Sequence, residues 1–172
     1  VIESLGRAWP VETRYLGYEP RQRLEDQVAA AIRKALYEED GSILAFLPGV
    51  AEIQRTVDRI GPVADNVHIT PLYGALTPQE QNDAIAPAPK GTRKVVVATD
   101  LAESAITIEG VRVVVDCGFA RVPRFDPGLG ASRLETVRVA VANADQRRGR
   151  AGRTGPGVCY RLWREPEMRG FA

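Results

Sequence analysis

The chain has little of the residue types that usually announce chemistry. Its 172 residues hold two cysteines and one histidine. Cys117 and Cys159 each lie in an apolar, strand-like run with no His or Cys at metal-ligand spacing. That argues against a metal site and for two buried thiols. His68 stands in the apolar stretch Val67–Ile69 and reads as a packed strand residue rather than a general base. No apolar run approaches the roughly twenty residues that span a bilayer. No membrane role is expected, and with no signal peptide before Val1-Ile2-Glu3 the expected setting is cytoplasmic. Net charge is only +1, so a nucleic-acid partner has to be argued from local charge. No Gly-x-Gly-x-x-Gly follows an early strand, which disfavours a dinucleotide enzyme. No Gly-x-x-x-x-Gly-Lys-Thr loop is present, so the chain by itself lacks a complete site for nucleotide hydrolysis.

What is there is ordinary globular composition, 44% hydrophobic and 26% charged, at a length that suits one domain. Val11–Leu16 alternates as a short half-buried strand does. From Arg21 to Glu39 the apolar positions Leu24, Val28, Ala31, Ile32, Ala35 and Leu36 recur at helical spacing. Ser42–Leu47 is a nearly continuous apolar run, the signature of a strand covered on both faces and therefore of a parallel sheet. The alternation repeats, with helices about Val50–Ile60 and Pro78–Ala86 and strands at Val67–Leu72 and Lys94–Ala98. A short helix then precedes a strand at Val111–Cys117. Such a series predicts an α/β fold, an open, mainly parallel sheet with helices on both faces. Two alternating arms around Gly128 and Gly130 predict an inserted β-hairpin at about 119–139, and Val158–Trp163 a last strand.

Two segments carry most of the functional signal. The first is Gln146-Arg147-Arg148-Gly149-Arg150-Ala151-Gly152-Arg153-Thr154-Gly155-Pro156-Gly157, which follows a short helical stretch at Val141–Asp145. Its glycines permit close backbone approach, and its guanidinium forks suit phosphate oxygens. Arg150 and Arg153 are spaced to share one face of a helical turn and so to meet one polyphosphate. A solvated basic loop or a general nucleic-acid patch would have the same composition. The second runs from Ala98-Thr99-Asp100 to Ile108-Glu109-Gly110, where a hydroxyl and backbone amides at a strand end suit a backbone phosphate. An ordinary Thr-Asp cap reads the same way in isolation.

The order Gln-Arg-x-Gly-Arg-x-Gly-Arg, preceded by the Thr99 segment and by Phe46-Leu47-Pro48-Gly49, resembles the second RecA-like domain of superfamily 2 helicases of the DEAH type over about Arg14–Trp163. Pro71–Leu76, Ile85–Pro89 and Arg121–Pro127 look like the bacterial HrpB-type branch. The resemblance implies a lead-in segment at 1–20 from a preceding RecA-like domain and a motor domain at 21–172. It implies catalytic roles for Arg150, Arg153 and Gln146, and nucleotide contacts from Thr107, Glu109, Gly149 and Ile85. It implies nucleic-acid contacts from Thr99, Gly49, Gly74, Arg121 and Arg124. ATP and Mg²⁺ would be held mainly by the missing first domain, with single-stranded RNA or DNA and that first domain as partners. A RecA-like binding module without motor activity is the alternative. Relatives usually read Thr-Asn-Ile-Ala-Glu-Thr-Ser-Leu-Thr-Ile-Asp-Gly where this chain has Thr99-Asp100-Leu101-Ala102-Glu103-Ser104-Ala105-Ile106-Thr107-Ile108-Glu109-Gly110. Ala105 removes a hydroxyl used in coupling, and Glu109 lengthens a carboxylate by one methylene. Several relatives have an aromatic residue where Ile85 stands, so relaxed base selectivity is expected.

Overall fold

The computed structural model describes residues 8–100 and 107–171. The short helix expected between the strands ending at Ala98 and beginning at Val111, with Ala105 in it, lies outside the described residues, as do residues 1–7.

Six strands form one wholly parallel sheet: β1 (Val11–Tyr15), β2 (Ser42–Phe46), β3 (Val67–Leu72), β4 (Arg93–Ala98), β5 (Val111–Asp116) and β8 (Gly157–Arg161). Their spatial order is β1-β8-β5-β2-β4-β3. Strand β2 is central, between β4 and β5, and all five of its residues are buried. Its period of two divides the core. Ile43 and Ala45 join one hydrophobic cluster with Val95, Val97, Val113, Val115 and α1 (Leu24–Glu38). Leu44 and Phe46 join the other with Val96, Ala98, Val114 and Ala84. Each buried Leu, Ile, Val or Phe contributes about 1.5–3 kcal/mol by leaving water. The covered, two-faced sheet expected from the Ser42–Leu47 run is therefore present.

Local chemistry sets the helix ends. Helix α3 (Pro78–Ile85) opens on a capping box: the Thr77 hydroxyl accepts from the Glu80 amide at 3.2 Å, and the Glu80 carboxylate accepts from the Thr77 amide at 2.9 Å. Helix α2 (Val50–Ile60) starts at Gly49 without a side-chain cap and stops at Gly61, whose φ of 74° is in the left-handed region. Arg14 of β1 donates to the Tyr160 hydroxyl at 2.9 Å and to Glu39 at 3.0 Å, while Tyr160 donates to Glu38 at 2.6 Å, fastening β1 and β8 to the end of α1.

The predicted hairpin is β6 (Phe119–Asp126) paired antiparallel with β7 (Ala131–Arg138), in a register that sets Phe119 opposite Arg138 and Asp126 opposite Ala131. Two expectations change. His68 is exposed, because β3 is an edge strand with incomplete cover; the edge position also accommodates Pro71. The helix expected at Val141–Asp145 extends as α4 to Gly149 and continues as a 3₁₀ turn over Arg150–Gly152, after which residues 153–156 are irregular.

Candidate nucleotide and nucleic-acid site

Because the sheet is parallel, the ends of β2, β4 and β5 lie together at one edge. Gly49, Thr99 and Asp116 stand just beyond or at those ends. Thr99 is half-buried, and its amide donates to the Leu72 carbonyl at 3.2 Å. Gly49 sits at the N-terminus of α2, and the Arg121 guanidinium occupies the space that a side chain there would need. Arg121 also donates to both Glu52 oxygens at 3.1 and 2.9 Å, and to the Thr136 hydroxyl at 3.0 Å. Burial is the largest single influence and acts to raise the Glu52 pKa, but the Arg121 hydrogen bonds and charge, a backbone hydrogen bond and the Arg55 charge together hold the carboxyl below its ordinary value. Arg124, further out on the hairpin, is exposed and pairs with Glu135 at 3.3 Å. Gly74 is exposed, with open space around it.

A second grouping lies toward the start of β5. Arg150, Arg153, Thr107, Ile108, Val111 and Leu44 line one cleft. Arg153 is exposed and donates to the Thr107 hydroxyl at 3.2 Å; Arg150 is 7% exposed. Gln146 is exposed on α4, one turn before Arg150, and Gly149 is open to solvent. Ile85 packs against the cluster that contains Leu44, Ile108 and Val111, on the same face of the sheet. Glu109 is exposed in the turn that leads into β5. Two arginines and a threonine are among the residues lining this cleft, a donor set suited to an anionic ligand.

Three groups escaped the sequence reading. Arg147, one of four neighbouring arginines, is fully buried: it donates to Asp116 at 2.7 Å, pairs with Asp100, and has the Phe46 ring 4.8 Å from its guanidinium carbon. Lys94 is buried beneath α3 and donates to the Asp83, Ala84 and Ala86 carbonyls at 2.7, 2.9 and 2.8 Å, which fixes the helix end that carries Ile85. Burial lowers its pKa. A lysine inside an apolar strand run was the available signal. The third is Glu52, whose partner is distant in sequence. Burial pushes both the Cys117 and Cys159 thiols up to about 12, so they stay protonated and inert as expected.

Known proteins share this fold. ATP-dependent RNA helicase HrpB of Escherichia coli strain K12 is 52% identical over 163 residues, which are 94% of this chain and 20% of that protein. The pre-mRNA-splicing factor ATP-dependent RNA helicase prp22 of Schizosaccharomyces pombe is 40% identical over 171 residues, 95% of this chain and 15% of that protein. The crystal structure of the Escherichia coli DEAH/RHA helicase HrpB superposes with a TM-score of 0.90 at 49% identity, over 96% of this chain and 21% of that one. The chain thus spans about a fifth of the length of the HrpB protein it matches. The family described as helicase conserved C-terminal domain matches residues 26–155, so the chain belongs to that family, with the RecA-like fold and the DEAH-box, HrpB-type likeness that its motifs carry.

Proposed function

We propose that this chain is the second motor domain of an ATP-dependent RNA helicase, supplying arginine fingers to ATP held on a first RecA-like domain while gripping the nucleic-acid backbone itself. The observation that carries the reading is the shared cleft of Arg150, Arg153 and Thr107. These side chains arise 43 or more residues apart in the chain from Thr107, yet converge on one side of the sheet. The relatives' names, which are those of ATP-dependent RNA helicases, favour RNA over DNA.

In this reading residues 1–20 lead in from the first domain and 21–172 form the motor domain. ATP supplies the phosphoryl group, and Mg²⁺ belongs with the first domain, where a phosphate loop would cradle the nucleotide. The work of this chain is electrostatic. Closure brings Arg150 and Arg153 to the γ-phosphate, where fixed positive charge stabilises what develops on the phosphoryl oxygens as the bond to the leaving group breaks. An arginine delivered this way is worth about 10³–10⁵ in rate. Gln146, Thr107, Glu109 and Gly149 line the approach to the nucleotide, and Ile85 offers the base an aliphatic surface. Thr99, Gly49, Gly74 and the hairpin residues Arg121 and Arg124 meet the strand, mostly through phosphates, so the grip is largely independent of sequence. Because both sites sit on one rigid domain, each closure moves the grip relative to the first domain.

The test is strand displacement on a duplex with a single-stranded RNA tail, using the full-length protein and its Arg153→Ala variant. ATP-dependent displacement by the wild type and its loss in the variant is the expected result. Equal displacement by both removes the finger role.

A further inference from the structure

The last turn of α4 carries a buried side chain that contacts the strand-end residues Asp100 and Asp116, one turn before Arg150 of the other candidate site. Arg147 is fully buried, with its Nη1 donating to Asp116 Oδ1 at 2.7 Å and its Nη2 paired with Asp100. Asp116 is the immobile partner. It is fully buried at the end of β5, and its Oδ1 also accepts from the Gly118 amide at 2.8 Å. Asp100 is the rim partner, with its side chain 41% exposed, directly after Thr99 at the end of β4. The Phe46 ring, at the end of β2, lies 4.8 Å from the same guanidinium. Arg147 therefore fastens the ends of three strands to α4, and the next turn of that helical run carries Arg150.

We propose that the Asp100–Arg147 pair is the coupling link of this domain, joining the strand-end segment that meets the nucleic acid to the helix that aims the fingers. The inference rests on the motor-domain reading. Arg147 is a positioning residue: it touches neither nucleotide nor strand, and acts by fixing the rotation and depth of α4 beside Thr99. Position gives the link a direction. A strand seated at Thr99 bears on the next residue, Asp100, whose side chain holds Arg147. The seated strand loads the Asp100 contact, and the load passes to α4 through a guanidinium whose other end cannot shift, because Asp116 is built into the sheet. A fixed Arg147–Asp116 bond with a partly exposed Asp100 is what a lever needs: one immobile end and one end within reach of the ligand.

The experiment uses the full-length protein and measures ATP hydrolysis with and without single-stranded polyadenylate RNA for wild type, Asp100→Asn, Asp100→Ala and Asp100→Ser. The asparagine amide oxygen still accepts from Arg147, so this variant keeps most of the RNA stimulation. The alanine and serine side chains do not reach Arg147, and in both the stimulation ratio falls by about tenfold, the size of an ordinary coupling between sites. The loss lies in the stimulated kcat, with the RNA concentration for half-stimulation little changed. Asp116 still compensates Arg147 in every variant, and thermal melts check that the fold persists. Undiminished stimulation in either truncated variant, in a wild type that RNA does stimulate, overturns the coupling role and leaves the pair a stabilising contact. A wild type that RNA does not stimulate overturns the motor-domain reading itself.

Discussion

Arg121, on the first arm of the hairpin, grips both oxygens of Glu52, in the first turn of α2, at 3.1 and 2.9 Å. The pair lays a guanidinium across Gly49 at the uncapped N-terminus of that helix. A cation and a helix N-terminus side by side favour a phosphate, but Glu52 neutralises most of that advantage. Replacing Glu52→Gln frees the charge. RNA binding by the full-length protein then tightens, and the slope of log affinity against log salt steepens by about one unit, as one added phosphate contact requires. Filter binding across a salt series reads both, and an unchanged slope would mean Arg121 never meets the strand.

The same pair predicts a pH dependence. The folded-state pKa of Glu52 is depressed by Arg121, so its contribution to stability is fully present above the unfolded carboxylate value and is lost as pH falls through the folded one. Thermal melts of wild type and Glu52→Gln should differ at pH 7 and converge in acid. A gap that does not narrow as the pH is lowered contradicts this assignment.

Asp116 and Arg147 are both fully buried, so removing one strands the other. Asp116→Ala takes the fully buried carboxylate from Arg147, with Asp100 at the rim and the Phe119 carbonyl among the partners that remain, and should cost about 3–5 kcal/mol of folding free energy, read as a lowered urea midpoint. A loss below about 1 kcal/mol, the scale of an exposed pair, would show that the buried charge finds another partner.

The pairs Arg121–Glu52 and Asp116–Arg147 mark where the sequence stops being readable. The continuous apolar run of β2 announced a strand buried on both faces, and the spacing Val28, Ala31, Ile32, Ala35 announced the inner face of α1; both follow from periodicity alone. The positions of Arg150, Arg153 and Thr107 were legible as a motif, though their shared cleft was not, because it depends on how β5 and α4 pack. Arg147 was hidden among its neighbours. Its signal was weak but physical: Ala144, Arg147 and Ala151 form one buried stripe, and small residues on either side of a long polar one mark the face turned inward. Asp116, an acid that follows three valines at the end of β5, was the matching sign that a buried base must exist. The pairing of Arg121 with Glu52 had no sequence signal, since 69 residues separate them and only the docking of the hairpin on α2 brings them together.

In the proposed motor-domain reading, Ile85 bears on nucleotide choice. An aliphatic side chain gives a base dispersion contact without ring stacking, and aromatic pairs are worth about 0.5–1.5 kcal/mol beyond their burial. The full-length protein should hydrolyse ATP, GTP, CTP and UTP with similar kcat/KM, and Ile85→Phe should lower KM for the purine nucleotides about threefold to tenfold. A strict preference for ATP in the wild type counts against the placement of Ile85 beside the base.

The most direct test of the central claim is single-turnover ATP hydrolysis by the full-length protein in saturating single-stranded RNA, for wild type, Arg150→Ala and Arg153→Ala, with ATP affinity measured in parallel. The account predicts that each substitution slows the chemical step by about 10³-fold or more while the protein stays folded and still binds ATP. Hydrolysis at the wild-type rate in either variant would contradict it and leave that arginine as part of a binding patch.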